Sequence, residues 1–265
     1  MLNLNYHYTT CTSATPDHAM VLIHGFMGSP SDWDNLRHYY QQRYNCLTIE
    51  IPGHHTRPSD ATITSLHHLS FSTLSHEIYQ LIVGLKLTQI QLIGYSMGGR
   101  ICMHFSHHYP QFIKQLIILS SNMGYASPKE KVSRLSSDLA KSRVIQTTKW
   151  SDFVDYWYGQ PLFSELKRSP FFNPILNKRR QLIPNFMSQV VVLLSSAKHP
   201  YYPPILNTLP FPVDYIYGKH DTKYAKHVDD NQWPFRCTGI DDADHALHIT
   251  HAGEVSLFLD KILIT

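Results

Sequence analysis

Two parts of the chain alternate short apolar runs with longer stretches in which apolar side chains recur every three or four positions. The apolar runs predict strands at residues 19–24, 46–51, 89–93 and 115–120. The periodic stretches predict helices at residues 31–42, 70–85 and 98–108. Such alternation is typical of a mainly parallel sheet with helices on both faces, so we expect an α/β fold.

The alternation stops near residue 122 and resumes at residue 213. The intervening stretch is rich in helix-forming residues, proline and aromatics, and its apolar run at 190–194 suits a strand or a buried helix equally well. Beyond it, the pattern predicts strands at residues 213–217 and 235–240 and an amphipathic helix at 252–264. We therefore expect a single domain with an insertion, in which the core comprises residues 1–121 and 213–265 and a helical cap comprises residues 122–212.

Composition narrows the classes of protein. The 265 residues are 43% hydrophobic and 16% charged, with a net charge of +3, which excludes disorder. No stretch concentrates five or six Lys or Arg residues, so nucleic acid is not an expected partner, while a small anionic ligand is allowed. The longest apolar runs fall well short of the roughly 18 residues that a transmembrane helix needs, so we expect no membrane span.

Cysteine and histidine usage gives two further expectations. Residues 1–8 lack the features of a signal peptide and the four cysteines are widely spaced, which suggests free thiols in the cytoplasm. His104 and His108, and His245, His248 and His251, have spacings that could serve a metal, but no H-E-x-x-H pattern accompanies them. We expect packed or solvated histidines and no metal.

The segment Gly94-Tyr95-Ser96-Met97-Gly98 is a G-x-S-x-G pattern placed directly after a predicted strand and before a predicted helix. This pattern is typical of a nucleophile at a sharp strand-to-helix turn, where glycines on either side leave room for the backbone. The alternative is a chance match in a glycine-containing turn. The context favours Ser96 as the reactive hydroxyl.

A serine nucleophile needs a base and an acid that orients the base, and on this type of sheet they follow in the order Ser, Asp or Glu, His. Asp221 follows the strand predicted at residues 213–217, and His245 follows the one at 235–240. Asp221 could instead cap a helix, and His245 could be a surface histidine. The acids Asp241, Asp242 and Asp244 remain possible substitutes for Asp221.

The turn His24-Gly25-Phe26-Met27-Gly28 follows the first predicted strand. In folds with a nucleophile elbow, this turn supplies one backbone N–H of an oxyanion hole and the residue after the nucleophile supplies the other. Phe26 and Met97 are therefore the predicted backbone donors.

These motifs together resemble the α/β-hydrolase-fold enzymes and, within them, the 2-succinyl-6-hydroxy-2,4-cyclohexadiene-1-carboxylate synthases of menaquinone biosynthesis. The more specific part of the resemblance lies in Arg100 and in the segments Trp157-Tyr158-Gly159-Gln160-Pro161-Leu162-Phe163 and Tyr217-Gly218-Lys219-His220-Asp221-Thr222-Lys223-Tyr224. The resemblance implies a lyase that eliminates pyruvate from 2-succinyl-5-enolpyruvyl-6-hydroxy-3-cyclohexene-1-carboxylate, without a cofactor.

The resemblance also implies residues for binding a polycarboxylate substrate. Tyr95 and Trp157 match pocket-lining positions, and Arg100 and Arg134 match arginines suited to carboxylate recognition. Arg134 could instead face solvent, and Trp157 could simply pack the cap. A further cap arginine expected between residues 179 and 188 aligns near Phe186.

Another departure is the sequence His54-His55-Thr56-Arg57 in place of a G-x-S ending after Pro-Gly-His. Either departure could shift substrate choice.

The alternatives to a lyase are a serine hydrolase, such as a carboxylesterase or carbon–carbon bond hydrolase, with the same triad, and a non-catalytic binding protein of the same fold.

Overall fold

A computed structural model describes residues 4–12, 15, 17–56 and 66–263. Within this part, seven strands form one sheet in the order β1-β3-β2-β4-β5-β6-β7. β1 runs antiparallel to β3, and all other neighbouring pairs are parallel. The strands are Tyr6–Thr9 (β1), His18–Ile23 (β2), Asn45–Ile49 (β3), Gln89–Tyr95 (β4), Ile113–Leu119 (β5), Val213–Gly218 (β6) and Arg236–Ile240 (β7).

Helices cover both faces of the sheet and fill the region between β5 and β6. The α-helices are Asp34–Tyr40 (α1), Phe71–Gly84 (α2), Met97–His108 (α3), Pro128–Thr147 (α4), Trp150–Tyr158 (α5), Ser164–Arg168 (α6), Phe172–Arg179 (α7), Pro184–Leu193 (α8), Pro203–Leu206 (α9), Thr222–Asn231 (α10), Leu247–Thr250 (α11) and Ala252–Ile262 (α12). Short 3-10 turns lie at Pro30–Trp33, Pro110–Phe112, Pro161–Phe163 and Ser196–Lys198. Among the helices described, none combines the length and hydrophobicity that crossing a bilayer requires.

The two faces of the sheet bury different apolar side chains. In β2, Val21 and Ile23 belong to the larger core cluster, whereas Met20 and Leu22 belong to the cluster on the other face. Burial on both faces explains why residues 19–23 of β2 are a continuous apolar run with no polar alternation. The predicted fold class, a mainly parallel sheet flanked by helices, is confirmed.

The predicted elements agree with the structure apart from one strand and some boundaries. β1 was not predicted, because its four residues lie at the sheet edge and half of them are exposed. Residues 190–193 of the ambiguous apolar run belong to α8, which begins at residue 184 and ends at residue 193, and Leu194 is its C-cap.

Residues 122–212 lie between β5 and β6, and every one of them is described. They contain six α-helices, α4 to α9, and no strand. We call this segment the helical insertion. It packs α4 against α8 and lies above the carboxyl end of the sheet, where the cavities described below are found.

Candidate active site

Ser96 sits at a sharp turn between β4 and α3, with a backbone φ of 50°. The turn is tight on both sides: a Cβ on Gly98 would lie 2.1 Å from the Ile23 carbonyl oxygen, and a Cβ on Gly94 would lie 2.5 Å from Cys102 Sγ. Both positions therefore require glycine. The strained backbone places the Ser96 hydroxyl at the start of α3, at the edge of a cavity.

The structure brings Ser96, His245 and Asp221 together, although they are distant in sequence. His245 Nε2 lies 3.2 Å from Ser96 Oγ, and His245 Nδ1 lies 2.6 Å from Asp221 Oδ2. A carboxylate can only accept from Nδ1–H, so Nδ1 carries the proton and the Nε2 lone pair faces the serine hydroxyl. Asp221 also caps α10 by accepting the Tyr224 N–H at 3.3 Å, so the capping and orienting roles coexist.

The three other acids considered for the orienting role do not contact the imidazole of His245. Asp241 and Asp242 are surface residues, with side chains 81% and 87% exposed. Asp244 is buried, but its carboxylate accepts backbone N–H groups at the start of α6 at 2.8 and 2.9 Å. Burial raises the pKa of Asp244. Asp221 is therefore the acid positioned to orient His245.

The two predicted oxyanion donors line the same cavity as Ser96. Met97 is the first residue of α3, and Phe26 lies in the turn after β2. Within the described part of the chain, the N–H groups of Phe26 and Met97 have no acceptor. Two free N–H groups beside a nucleophile are the arrangement that an oxyanion hole requires.

Four cationic side chains line this cavity, which has a volume of about 150 Å³ and which we call the cationic cavity. They are Arg100, Arg134, Lys141 and Lys223. Among the described residues, the one carboxylate in its lining is Asp138, which accepts from Arg134 Nε at 2.7 Å and from Lys141 Nζ at 2.8 Å. Positive charge is therefore in excess beside Ser96.

Arg100 is 6% exposed and donates one bond, from Nη1 to the Leu194 carbonyl oxygen at 2.8 Å. Burial, together with the nearby charge of Arg134, lowers its pKa to about 10. The side chain is still cationic at neutral pH, and most of its five N–H groups remain available for an anion.

Tyr95 and Trp157, the other two predicted binding residues, occupy different positions. The Tyr95 ring is 8% exposed, lies 5.1 Å from the His245 ring, and lines a smaller inner cavity on the other side of Ser96. Trp157 lines both cavities and lies 5.3 Å from the Phe26 ring. Trp157 is therefore the better placed of the two to contact a ligand in the cationic cavity.

No arginine stands at the position expected for the additional cap arginine. That position is Phe186, which is buried and whose ring lies 5.0 Å from the His55 ring. Arg179 lines the inner cavity, but its Nη2 is bound to Asp32 Oδ2 at 2.6 Å. The segment after His55 includes Arg57, which lies outside the described residues.

Sequence reasoning did not name Lys141 and Lys223 as cavity residues. Lys223 stands two residues after Asp221 in a motif that was noted, so its position was available as a signal. Lys141 lies in the middle of α4, and nothing in its local sequence separates it from a solvent-facing lysine. Elsewhere in the described chain, no group of three His, Cys, Asp or Glu residues is arranged to hold a metal ion.

A parallel sheet, a strained serine elbow and a hydrogen-bonded Ser–His–Asp arrangement define the class. The sequence matches the family described as alpha/beta hydrolase fold over residues 18–252. The chain therefore belongs to the alpha/beta hydrolase fold family.

More specific similarities point to one group within this family. The chain is 24% identical to the 2-succinyl-6-hydroxy-2,4-cyclohexadiene-1-carboxylate synthase of an Enterobacter species, covering 92% of this chain and 91% of that protein. It is 24% identical to the chloroplastic protein PHYLLO of Arabidopsis thaliana. That match covers 92% of this chain and 15% of the much longer PHYLLO. The solved structure of MenH from S. aureus superposes with a TM-score of 0.84 at 22% identity, covering 97% of this chain and 98% of that one.

Proposed function

We propose that the protein is a lyase that eliminates pyruvate from 2-succinyl-5-enolpyruvyl-6-hydroxy-3-cyclohexene-1-carboxylate and forms 2-succinyl-6-hydroxy-2,4-cyclohexadiene-1-carboxylate. The observation that carries the proposal is the cationic cavity next to Ser96, to which the described part of the chain contributes four cations and one carboxylate. The similarity to synthases that carry this name, over nearly the whole chain, supports the same conclusion.

Charge complementarity connects the cavity to this substrate. The substrate carries three carboxylates, on the enolpyruvyl group, on the ring and on the succinyl chain. Arg100 and Arg134 present guanidinium groups, which suit bidentate carboxylate binding, and Lys223 adds an ammonium group. An uncharged ester would gain nothing from these side chains, because their desolvation would be left uncompensated.

In the proposed reaction His245, oriented by Asp221, accepts the Ser96 proton, and the serine oxygen removes the proton from the ring carbon that bears the succinyl group. The electron pair shifts through the ring double bond and breaks the carbon–oxygen bond to the enolpyruvyl group. The enolpyruvate that leaves takes a proton from the His245 imidazolium and becomes pyruvate. No cofactor enters these steps.

Negative charge develops on the succinyl carbonyl oxygen during proton removal. The N–H groups of Phe26 and Met97 are the donors proposed to stabilise it, since both line the cavity and neither has another acceptor within the described residues. A donor of this kind is typically worth about 3 kcal/mol of transition-state stabilisation.

A serine hydrolase is the second candidate, because the Ser96–His245–Asp221 geometry would serve acyl transfer equally well. The test offers the purified protein the enolpyruvyl cyclohexene substrate and p-nitrophenyl acetate in parallel, and measures pyruvate and nitrophenol. We expect pyruvate release with catalytic turnover and, at most, slow nitrophenol release. Nitrophenol release without pyruvate would favour the hydrolase and overturn the lyase proposal.

The proposal includes a small polycarboxylate as the ligand and the cytoplasm as the location. Cys46, Cys102 and Cys237 are free thiols, and free thiols persist in a reducing compartment. The expectation that the protein does not bind nucleic acid stays a prediction.

A further inference from the structure

The two peptide groups on either side of Phe26 each form a hydrogen bond with a histidine side chain. On the first, the Gly25 carbonyl oxygen accepts from Gly28 N at 2.9 Å and lies 2.8 Å from His24 Nδ1. In a trans peptide the N–H points opposite to the carbonyl of the preceding residue. Fixing the Gly25 carbonyl therefore fixes the direction of the Phe26 N–H.

On the second peptide, Met27 N donates to His54 Nε2 at 3.1 Å. Met27 is a non-glycine residue with φ of 58°, a conformation that carries a steric cost. The hydrogen bond to His54 therefore stabilises a strained backbone conformation. Without this acceptor the buried Met27 N–H would be unsatisfied, and the peptide between Phe26 and Met27 would rotate to find another partner.

A single residue, Ile51, determines the proton positions of both histidines. Ile51 N donates to His24 Nε2 at 3.0 Å, so the His24 proton is on Nδ1, where it bonds the Gly25 carbonyl oxygen. The Ile51 carbonyl oxygen lies 3.0 Å from His54 Nδ1, so the His54 proton is also on Nδ1 and Nε2 is free to accept. The two tautomers are mutually consistent.

Both histidines are buried, with 0% and 1% exposure for His24 and His54, and their rings lie 4.9 Å apart. Burial lowers the pKa of His24 to about 4 and that of His54 well below its ordinary value. Both rings are therefore neutral at physiological pH, as the accepting role of each Nε2 requires.

We propose that His54, in a frame shared with His24 and Ile51, is a positioning residue that orients the Phe26 N–H toward the negative charge that develops on the reacting oxygen. This inference rests on the proposed role of Phe26 as an oxyanion donor. His54 lines neither the cationic cavity nor the inner cavity, and it acts through the backbone of Met27 and Phe26. These hydrogen bonds fix the direction of the Phe26 N–H before the substrate binds. Such preorganisation is what makes an oxyanion hole effective.

Two substitutions separate the Met27 contact from the Ile51 contact. The amide of glutamine reaches the place of His Nε2, so His54→Gln keeps an acceptor for Met27 N–H. The shorter amide of asparagine reaches only the place of Nδ1, so His54→Asn keeps the Ile51 contact and loses the Met27 contact. His55→Asn is the matched control, because His55 is the adjacent buried histidine and packs on Phe186.

We expect His54→Asn to lower kcat by about 10- to 100-fold with KM within about 2-fold, because the donor acts only in the transition state. His54→Gln should recover most of the lost kcat, and His55→Asn should leave kcat unchanged. The proposal is overturned if His54→Asn keeps wild-type kcat, if His54→Gln is no better than His54→Asn, or if the loss appears in KM alone.

Each variant is assayed for pyruvate and nitrophenol release and is judged on whichever reaction the wild-type protein catalyses. Wild-type protein that releases nitrophenol and no pyruvate would refute the proposed function and still test His54. Should His54→Asn fail to fold, the proposal is tested on the wild-type protein instead, by reading the histidine tautomers from its ¹⁵N NMR spectrum at pH 7. Neutral Nδ1–H tautomers for His24 and His54 are expected, and an imidazolium or Nε2–H form of His54 would overturn the proposal.

Discussion

Asp244 accepts the backbone N–H of Glu165 at 2.8 Å, which connects the residue next to His245 with the first turn of α6 in the helical insertion. The same carboxylate oxygen accepts the Leu166 N–H at 2.9 Å, and His245 N donates to the Leu162 carbonyl oxygen at 3.1 Å. The loop that carries the imidazole is therefore held by the insertion as well as by the sheet.

Asp244→Ala should weaken both the fold and the reaction. The substitution leaves two N–H groups of α6 without their acceptor, which we expect to lower the free energy of unfolding by about 2 kcal/mol. Because the His245 loop loses its attachment to α6, kcat should fall as well. Urea unfolding and pyruvate release measure the two effects. Asp241→Ala, at an exposed position three residues earlier, is the control and should change neither.

Backbone strain at Ser96 predicts an order of stability among inactive variants. Its φ of 50° favours glycine, which adopts positive φ without steric cost. Ser96→Gly should therefore be more stable than Ser96→Ala, by about 1 kcal/mol in urea unfolding. Equal stability of the two variants would mean that the elbow is not strained in solution.

Lys223 offers a test of the cationic cavity that leaves the triad intact. Its side chain lines the cavity, and a charge-assisted bond to a carboxylate is worth about 1.5 kcal/mol. Lys223→Met should raise KM about 10-fold with kcat nearly unchanged. Lys226→Met, one turn along α10 and paired with Asp230, is the control. An equal effect of both variants would point to a general loss of charge and no specific contact.

His248 predicts a pH dependence of stability. Its ring is buried between Trp33 and Tyr95 at 4.7 and 4.1 Å, and burial lowers its pKa to about 3. The unfolded state takes up a proton below about pH 6.5 and the folded state does not, so stability falls as pH falls through this range. The deficit reaches about 2 kcal/mol at pH 5.

His248→Phe should remove this deficit. Relative to wild type, the unfolding free energy of the variant should rise by about 2 kcal/mol between pH 7.5 and pH 5, because phenylalanine has no proton to gain. Urea titrations at the two pH values measure the change. A constant difference between the proteins would show that His248 is protonated in the fold or that its pKa is not lowered.

The strand-and-helix order and the relation of Ser96, Asp221 and His245 could be predicted from sequence, because each depends on local patterns joined by strong topological rules. Ser96 and Asp221 follow the buried strands β4 and β6, and His245 follows the edge strand β7. β1 could not be predicted in this way, since an exposed four-residue edge strand has no apolar run.

The charges around the cavity were harder to predict because they depend on tertiary partners. Arg179 and Lys141 both look like ordinary helix-surface cations in sequence. The fold buries the first against Asp32 and turns the second toward the cavity. Neither outcome is encoded in spacing along a single helix.

In the proposed reaction, Ser96, activated by His245, carries out the elimination. The most direct test is pyruvate release from the enolpyruvyl cyclohexene substrate by wild-type protein and by Ser96→Ala, prepared side by side and checked for equal folding. We expect kcat to fall by about 1,000-fold or more in the variant. Pyruvate release by Ser96→Ala at the wild-type rate would contradict it.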